Sequence, residues 1–176
     1  MKGSFKKKQE KKKVTEVTTF AVPFTPGGIK ENINITTNTH SKTSKEEIIK
    51  QAINFHLQGD ISKAAKHYQY CINEGFSDHR VFSNFGAILQ GFGKLQEAEL
   101  LTRKAIKLSP NFATAHSNLG NILSDLGKSQ EAELSQRKAI ELNPDLAMAH
   151  SNLGKILSNL GKLQEAELST RKAIKL

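Results

Sequence analysis

Pro110 and Pro144 stand 34 residues apart, and the residues after each are nearly the same. Asn111–Leu142 reads NFATAHSNLGNILSDLGKSQEAELSQRKAIEL, and Asp145–Leu176 reads DLAMAHSNLGKILSNLGKLQEAELSTRKAIKL. The two agree at about three quarters of their positions. A repeat of this length is one supersecondary element that buries its apolar face by stacking on its neighbours. The expected architecture is therefore an all-α solenoid, and a self-contained enzyme is not expected.

From Lys45 the 34-residue frame holds four times, as 45–78, 79–112, 113–146 and an incomplete 147–176. Each unit reads as two helices and a tight turn. In the first helix the packing positions are the fourth, seventh and eleventh, which share one face. They are Phe82, Phe85 and Leu89 in the second unit, and His116, Leu119 and Leu123 in the third. The eighth position is Gly86, Gly120 and Gly154. A mid-helix glycine costs about 1 kcal/mol relative to Ala, so its repetition predicts a close helix crossing, with Ala98, Ala132 and Ala166 opposite. Gly59, Gly93, Gly127 and Gly161 are placed to end the first helices in the left-handed conformation. Pro110 and Pro144 stop the second helices.

Residues 1–44 have no such period. They hold nine Lys against three Glu, a net +6, whereas residues 45–176 carry only +3 of the total of +9. Rich in Lys, Thr and Asn, this tail cannot bury enough apolar surface to offset its chain entropy and is expected to be disordered. Its cluster Lys6, Lys7, Lys8, Lys11, Lys12 and Lys13 would give weak, salt-sensitive attraction to an anionic surface or nucleic acid. No apolar run approaches the roughly 18 residues of a membrane span. The start lacks the apolar stretch of a secretion signal, and Cys71 is the only cysteine. Both features suit a cytoplasmic location.

The spaced features Leu119, Gly120, Ala132, Ala139 and Pro144, with their counterparts in the neighbouring units, resemble the tetratricopeptide repeat. The resemblance is to the bacterial type, and to the repeat region of O-linked N-acetylglucosamine transferase-like proteins. It covers residues 45–176. The first unit departs most, with Gln51 and Ala52 in place of the Leu-Gly pair and Phe76 in place of the proline. The resemblance implies a right-handed superhelix whose first helices line a concave groove. It further implies a protein-interaction scaffold that binds peptide segments there. By position the candidate groove residues are Asn84, Asn118, Asn152, Ser117, Asn121, Ser151 and Lys155. Arg80, Gln90, Thr114 and Asp125 fall on the same face. The three asparagines form a ladder, and an amide has two N–H donors and two acceptor lone pairs. It can meet an extended peptide backbone without reading its side chains. A carboxylate-gripping groove is not expected, because Ile49, Ile53, Thr114 and Asn118 replace its cationic and amide residues.

Chemistry is not otherwise signalled. The chain lacks a Gly-rich phosphate loop, a His-Glu-x-x-His pair and a nucleophile elbow, so no catalytic residue and no cofactor are expected. His116 and His150 recur one repeat apart, but no acidic or thiol ligand accompanies them, and packing rather than metal binding is expected. Glu99, Glu133 and Glu167 each precede an arginine by four residues, which predicts solvated ion pairs on an outer face. Ile174 and Leu176 match Ile140 and Leu142, which should pack on a following unit. That apolar edge is expected to need a second copy, a docked domain or more chain. The alternative function is accordingly the front portion of a larger glycosyltransferase-type enzyme.

Overall fold

The computed structural model describes residues 44–176, so the Lys-rich cluster and the rest of the expected tail lie outside the described residues. Eight helices follow in pairs: α1 Lys45–Leu57, α2 Ile61–Asn73, α3 His79–Gly91, α4 Leu95–Leu108, α5 Ala113–Asp125, α6 Ser129–Leu142, α7 Ala147–Asn159 and α8 Leu163–Lys175. No strand occurs among the described residues, and no helix there is long and apolar enough to cross a membrane. Each odd-numbered helix packs on the even-numbered one after it, and each pair packs on the next through α2–α3, α4–α5 and α6–α7. The first helices also touch directly, α3 on α5 and α5 on α7. The described region is thus an all-α solenoid.

The turns inside the pairs obey the glycine expectation. Gly93 has φ +74°, and its N–H reaches the Gln90 carbonyl at 2.9 Å while the Lys94 N–H reaches Leu89 at 2.9 Å. These bonds close the last turn of α3, which only a residue tolerating positive φ permits. The same geometry recurs at Gly127 and Gly161. Where later units use a proline after the second helix, the first uses Gly75 at φ +73°, followed by buried Phe76.

The core is wider than one helical stripe. Phe82, Phe85, Leu89, Leu119, Leu123, Leu153 and Leu157 are buried as their register predicts. So are Val81, Ala115 and Ala149, and so are Ile88, Ile122 and Ile156, which the three-position stripe omits. A first helix packs on its own partner, on the unit before and on the unit after. Apolar residues are therefore needed around most of its circumference. Ile106 and Ile140 carry the core across units, Ile106 onto Leu119 and Leu123, and Ile140 onto Leu153 and Leu157. Ile174, at the same place in α8, is 79% exposed.

The helix crossing is close where the glycines stand. A Cβ on Gly86 would strike the Thr102 hydroxyl and approach the Ala98 carbonyl at 3.2 Å. On Gly154 it would meet Thr170 and the Ala166 carbonyl in the same way. At Gly120 it would strike Gln136 first, with Nε2 at 2.6 Å and Cγ and Cδ at 2.9 Å. The small alanines let the backbones approach. The residue four positions after each, Thr102, Gln136 or Thr170, fills the space that the glycine leaves.

Candidate functional site

The asparagine ladder occupies equivalent places on α3, α5 and α7, because successive first helices pack side by side. All three residues are half-buried. The Asn84 amide donates to the Tyr68 hydroxyl at 3.2 Å. Burial pushes that hydroxyl up to about 12, and the Asn84 bond opposes the rise. The Asn118 amide donates back to the preceding unit, to Ser83 Oγ at 3.1 Å. The next pair in this register is Asn152 with Ser117. Both Nδ2 of Asn152 and Oγ of Ser117 are buried without a hydrogen-bond partner among the described residues. A buried polar atom left unpaired costs about 1–3 kcal/mol, so the fourth unit is less completely tied than the third.

Ser117 corrects the groove expectation. Like Ser83 it is fully buried. The Ser117 carbonyl accepts from the buried Gln136 amide of α6 at 2.9 Å. The same amide donates to Asn121 Oδ1 at 2.9 Å, so Asn121 is half-buried and anchored inward. Ser151 is half-buried and Lys155 exposed. Lys155 lines a shallow cleft of about 500 Å³ with Ser158, Asn159, Leu163, Glu167 and Arg171, at the side of the fourth unit.

Two other residues of this face are also committed to the scaffold. Arg80 makes a two-pronged ion pair with Glu46, at 2.7 and 3.0 Å, and reaches Asp78 at 2.8 Å. Its hydrogen bond to Glu46 holds that carboxyl below the usual carboxylate range. Gln90 donates to Asp125 of the next unit at 2.6 Å. The face that combines exposure with polar chemistry is therefore narrower than the sequence suggested. Thr114 and the asparagine amides lie half-buried along it, with Lys155 exposed.

His116 and His150 do structural work. Nε2 of each bonds to a proline carbonyl in the loop before its own helix, Pro110 at 2.8 Å and Pro144 at 2.9 Å. A carbonyl can only accept, so that nitrogen carries the proton. No cluster of metal-ligating side chains occurs among the described residues.

On the second helices the ion pairs differ from expectation. The three Glu–Arg pairs within a helix form, at 2.8, 2.9 and 2.6 Å. Yet Glu99 and Glu133 are not solvated scenery, since their side chains are only 16% and 11% exposed. Lys128 reaches back to Glu99 at 2.9 Å and Lys162 to Glu133 at 2.8 Å. Arg103 and Arg137 reach forward to Glu131 and Glu165, at 3.3 and 2.5 Å. The lysine hydrogen bonds, then the arginine ones, hold both glutamates below the usual carboxylate range against the opposing effect of burial. Opposite charges recurring 28 and 29 residues apart were the sequence signal for this ladder. A four-residue window does not see them.

A tetratricopeptide-repeat family profile matches residues 113–146, and a second matches residues 136–167. Residues 113–167 thus carry tetratricopeptide repeats. Its fold is similar to that of MamA, at 19% identity and TM-score 0.63, over 76% of this chain and 78% of that one. MamA from Desulfovibrio magneticus RS-1 gives 18% identity and TM-score 0.65, over 77% and 76%. The O-GlcNAc transferase of Thermobaculum terrenum gives 26% identity and TM-score 0.61, over 64% of this chain but only 22% of the transferase. No match to a curated protein reaches significance. Tetratricopeptide repeats form protein-interaction scaffolds, and that general role belongs to this chain. The small share of the transferase that is covered gives no support to the alternative of a glycosyltransferase.

Proposed function

We propose that the protein binds an extended peptide segment along the face formed by α3, α5 and α7, and that the ladder Asn84, Asn118 and Asn152 contacts its backbone. The observation that carries this reading is the repetition of one half-buried amide at one register on three adjacent helices. Asn84 donates to the Tyr68 hydroxyl and Asn118 to Ser83, which orients each amide. An amide still has a second N–H and its carbonyl lone pairs, the groups a peptide backbone needs. Asn121 and Ser151 support this face, and Lys155 at its edge favours an acidic residue in the ligand. Ser117 has no part in contact. Residues 45–78, 79–112, 113–146 and 147–176 serve as the stacked units of this scaffold.

The test selects peptides from a random displayed library against the described region and measures affinity by calorimetry. Changing Asn84, Asn118 and Asn152 together to Ala should weaken the selected peptides at least about tenfold. Because two of these amides also brace the helices, Thr114→Arg serves as a second variant that crowds the face while keeping every amide. Unchanged affinity in both, with helicity intact, rejects the reading.

A further inference from the structure

The asparagine row is uniform, but the rows beside it are not. Three residues after the ladder register stand Ile53, Ala87, Asn121 and Lys155, on α1, α3, α5 and α7. Four residues further on stand Leu57, Gly91, Asp125 and Asn159. Steps of three and four keep both rows on the helical face of the asparagines. That face changes from apolar on α1, through polar on α5, to cationic on α7. The helices meet in this order. Arg80 of α3 clasps Glu46 of α1, and α5 packs directly on both α3 and α7.

Both ends of the face are open to a ligand. Ile53 is half-buried, and Leu57 is 81% exposed, the most exposed large apolar side chain among the described residues. The later units carry glycine or a polar residue at the Leu57 position, so stacking does not require a leucine there. At the other end Lys155 is exposed and makes no ion pair among the described residues. Its neighbours three and four residues away on α7 are Ser151, Asn152, Ser158 and Asn159, all neutral. Glu167, across the shallow cleft, is held by Arg171 at 2.6 Å. Asp125 is tied to Gln90 of α3, on the side away from α7. Lys50, at the ladder register of α1, differs from Lys155. It stands in a group with Glu46, Asp78 and Arg80 whose formal charges cancel. Met148, the other exposed apolar side chain of a first helix, lies two turns before Lys155, in the row of Glu46, Arg80 and Thr114.

We infer that the peptide face is directional, taking a ligand with an aliphatic or aromatic residue over Ile53 and Leu57 and an acidic residue at Lys155. This rests on the peptide reading above and adds α1 to it. Directly packed helices lie roughly 8–10 Å apart, so the two steps from α3 to α7 span roughly 16–20 Å, and α1 lies beyond. An extended chain covers about 3.3 Å per residue, so the apolar and acidic residues of the ligand stand at least about five residues apart. The backbone between them meets the asparagine amides, which leaves the two ends to select the sequence.

The probe is a displayed library of random peptides about twelve residues long, selected in parallel against the full chain and its Leu57→Gln, Lys155→Glu and Lys50→Gln variants. Wild type should enrich peptides that carry an apolar and an acidic residue in one fixed order. For a synthetic peptide of that type, Leu57→Gln should weaken binding about tenfold and Lys155→Glu about fivefold. Exchanging the two residues within the peptide should weaken it at least about tenfold. Selection against Lys155→Glu should replace the acidic residue with a basic one, whereas Lys50→Gln should leave the acidic preference unchanged. The substituted residues are exposed, and circular dichroism checks the fold of each variant. Peptides that depend on Asn84, Asn118 and Asn152 but have the same composition for wild type, Leu57→Gln and Lys155→Glu overturn the inference and leave the peptide reading standing. So does an acidic preference that vanishes with Lys50→Gln and not with Lys155→Glu. Enrichment of no peptide, or of peptides indifferent to loss of the three asparagines, overturns the peptide reading and this inference with it.

Discussion

The junction between the first and second helix pairs and the two junctions after it solve one packing problem with different chemistry. At the first, Tyr68 is fully buried against Phe85, 6.4 Å between ring centroids, with Phe76 and Cys71 buried nearby. Burial pushes the Cys71 thiol up to about 12, so it stays a neutral packing group. The later junctions are bridged by Glu99 and Glu133, each held by an arginine of its own helix and a lysine of the next unit. The first unit has Ala65 and Gln69 where those glutamates and arginines stand, so it cannot make the ladder. Lys94 instead pairs with Glu97 at 3.3 Å, and Asp60 with Lys63 at 2.8 Å. Stacking of helix pairs thus does not require one set of side chains. It requires that the contact be filled, and either aromatic bulk or a closed polar network fills it.

The crossing inside the pairs gives the largest way to break this comparison. The first unit carries buried Ala52 opposite Tyr68 at the position that is glycine later. Gly120→Ala should nevertheless cost about 1–3 kcal/mol, because the new Cβ overpacks against Gln136. Denaturant unfolding measures the loss, and Gln136→Ala in the same chain should recover at least part of it. A Gly120→Ala protein as stable as wild type would mean that Gln136 swings away freely.

The charged junctions supply the next effect. Glu133→Gln should cost about 1 kcal/mol at neutral pH, since it weakens two charge-assisted hydrogen bonds at a mostly buried carboxylate. The folded state holds the Glu99 and Glu133 pKa values below their unfolded ones. Their contribution is therefore present above the ordinary carboxylate range, about 4.3, and is lost as pH falls through the lower folded values. Thermal melts from pH 7 to pH 3 should show a shallower acid decline in a Glu99→Gln, Glu133→Gln protein than in wild type. Parallel declines would assign the acid sensitivity elsewhere.

Glu167 gives the smallest effect and sharpens the contrast. It pairs with Arg171 at 2.6 Å, but the two side chains are 62% and 70% exposed. Glu167→Gln should shift stability by no more than a few tenths of a kcal/mol. A loss matching that of Glu133→Gln would show that the cross-unit lysine adds nothing.

Much of the fold was legible. Gly93, Gly127 and Gly161 end helices as their spacing requires, and Phe82, Leu119 and Leu153 are buried at their register. The candidate face was less so. The register that marks Ser117 as groove-lining is correct for one helix in isolation, but in the stacked chain that residue is fully buried. His116 read as a packing residue, and its hydrogen bond to Pro110 could not be read from helical spacing because the loop turns back.

The 34-residue period, the turn glycines and the alternation of apolar positions determined the helix pairs and their stacking. They could do so because local backbone preference and burial of one face act within a few turns of helix. Which polar side chains face a ligand, and which are consumed in binding one unit to the next, was decided by the packing of units. Asn118 on Ser83 and Lys128 on Glu99 are contacts between residues about a repeat apart, and only the stacked chain brings them within hydrogen-bond reach.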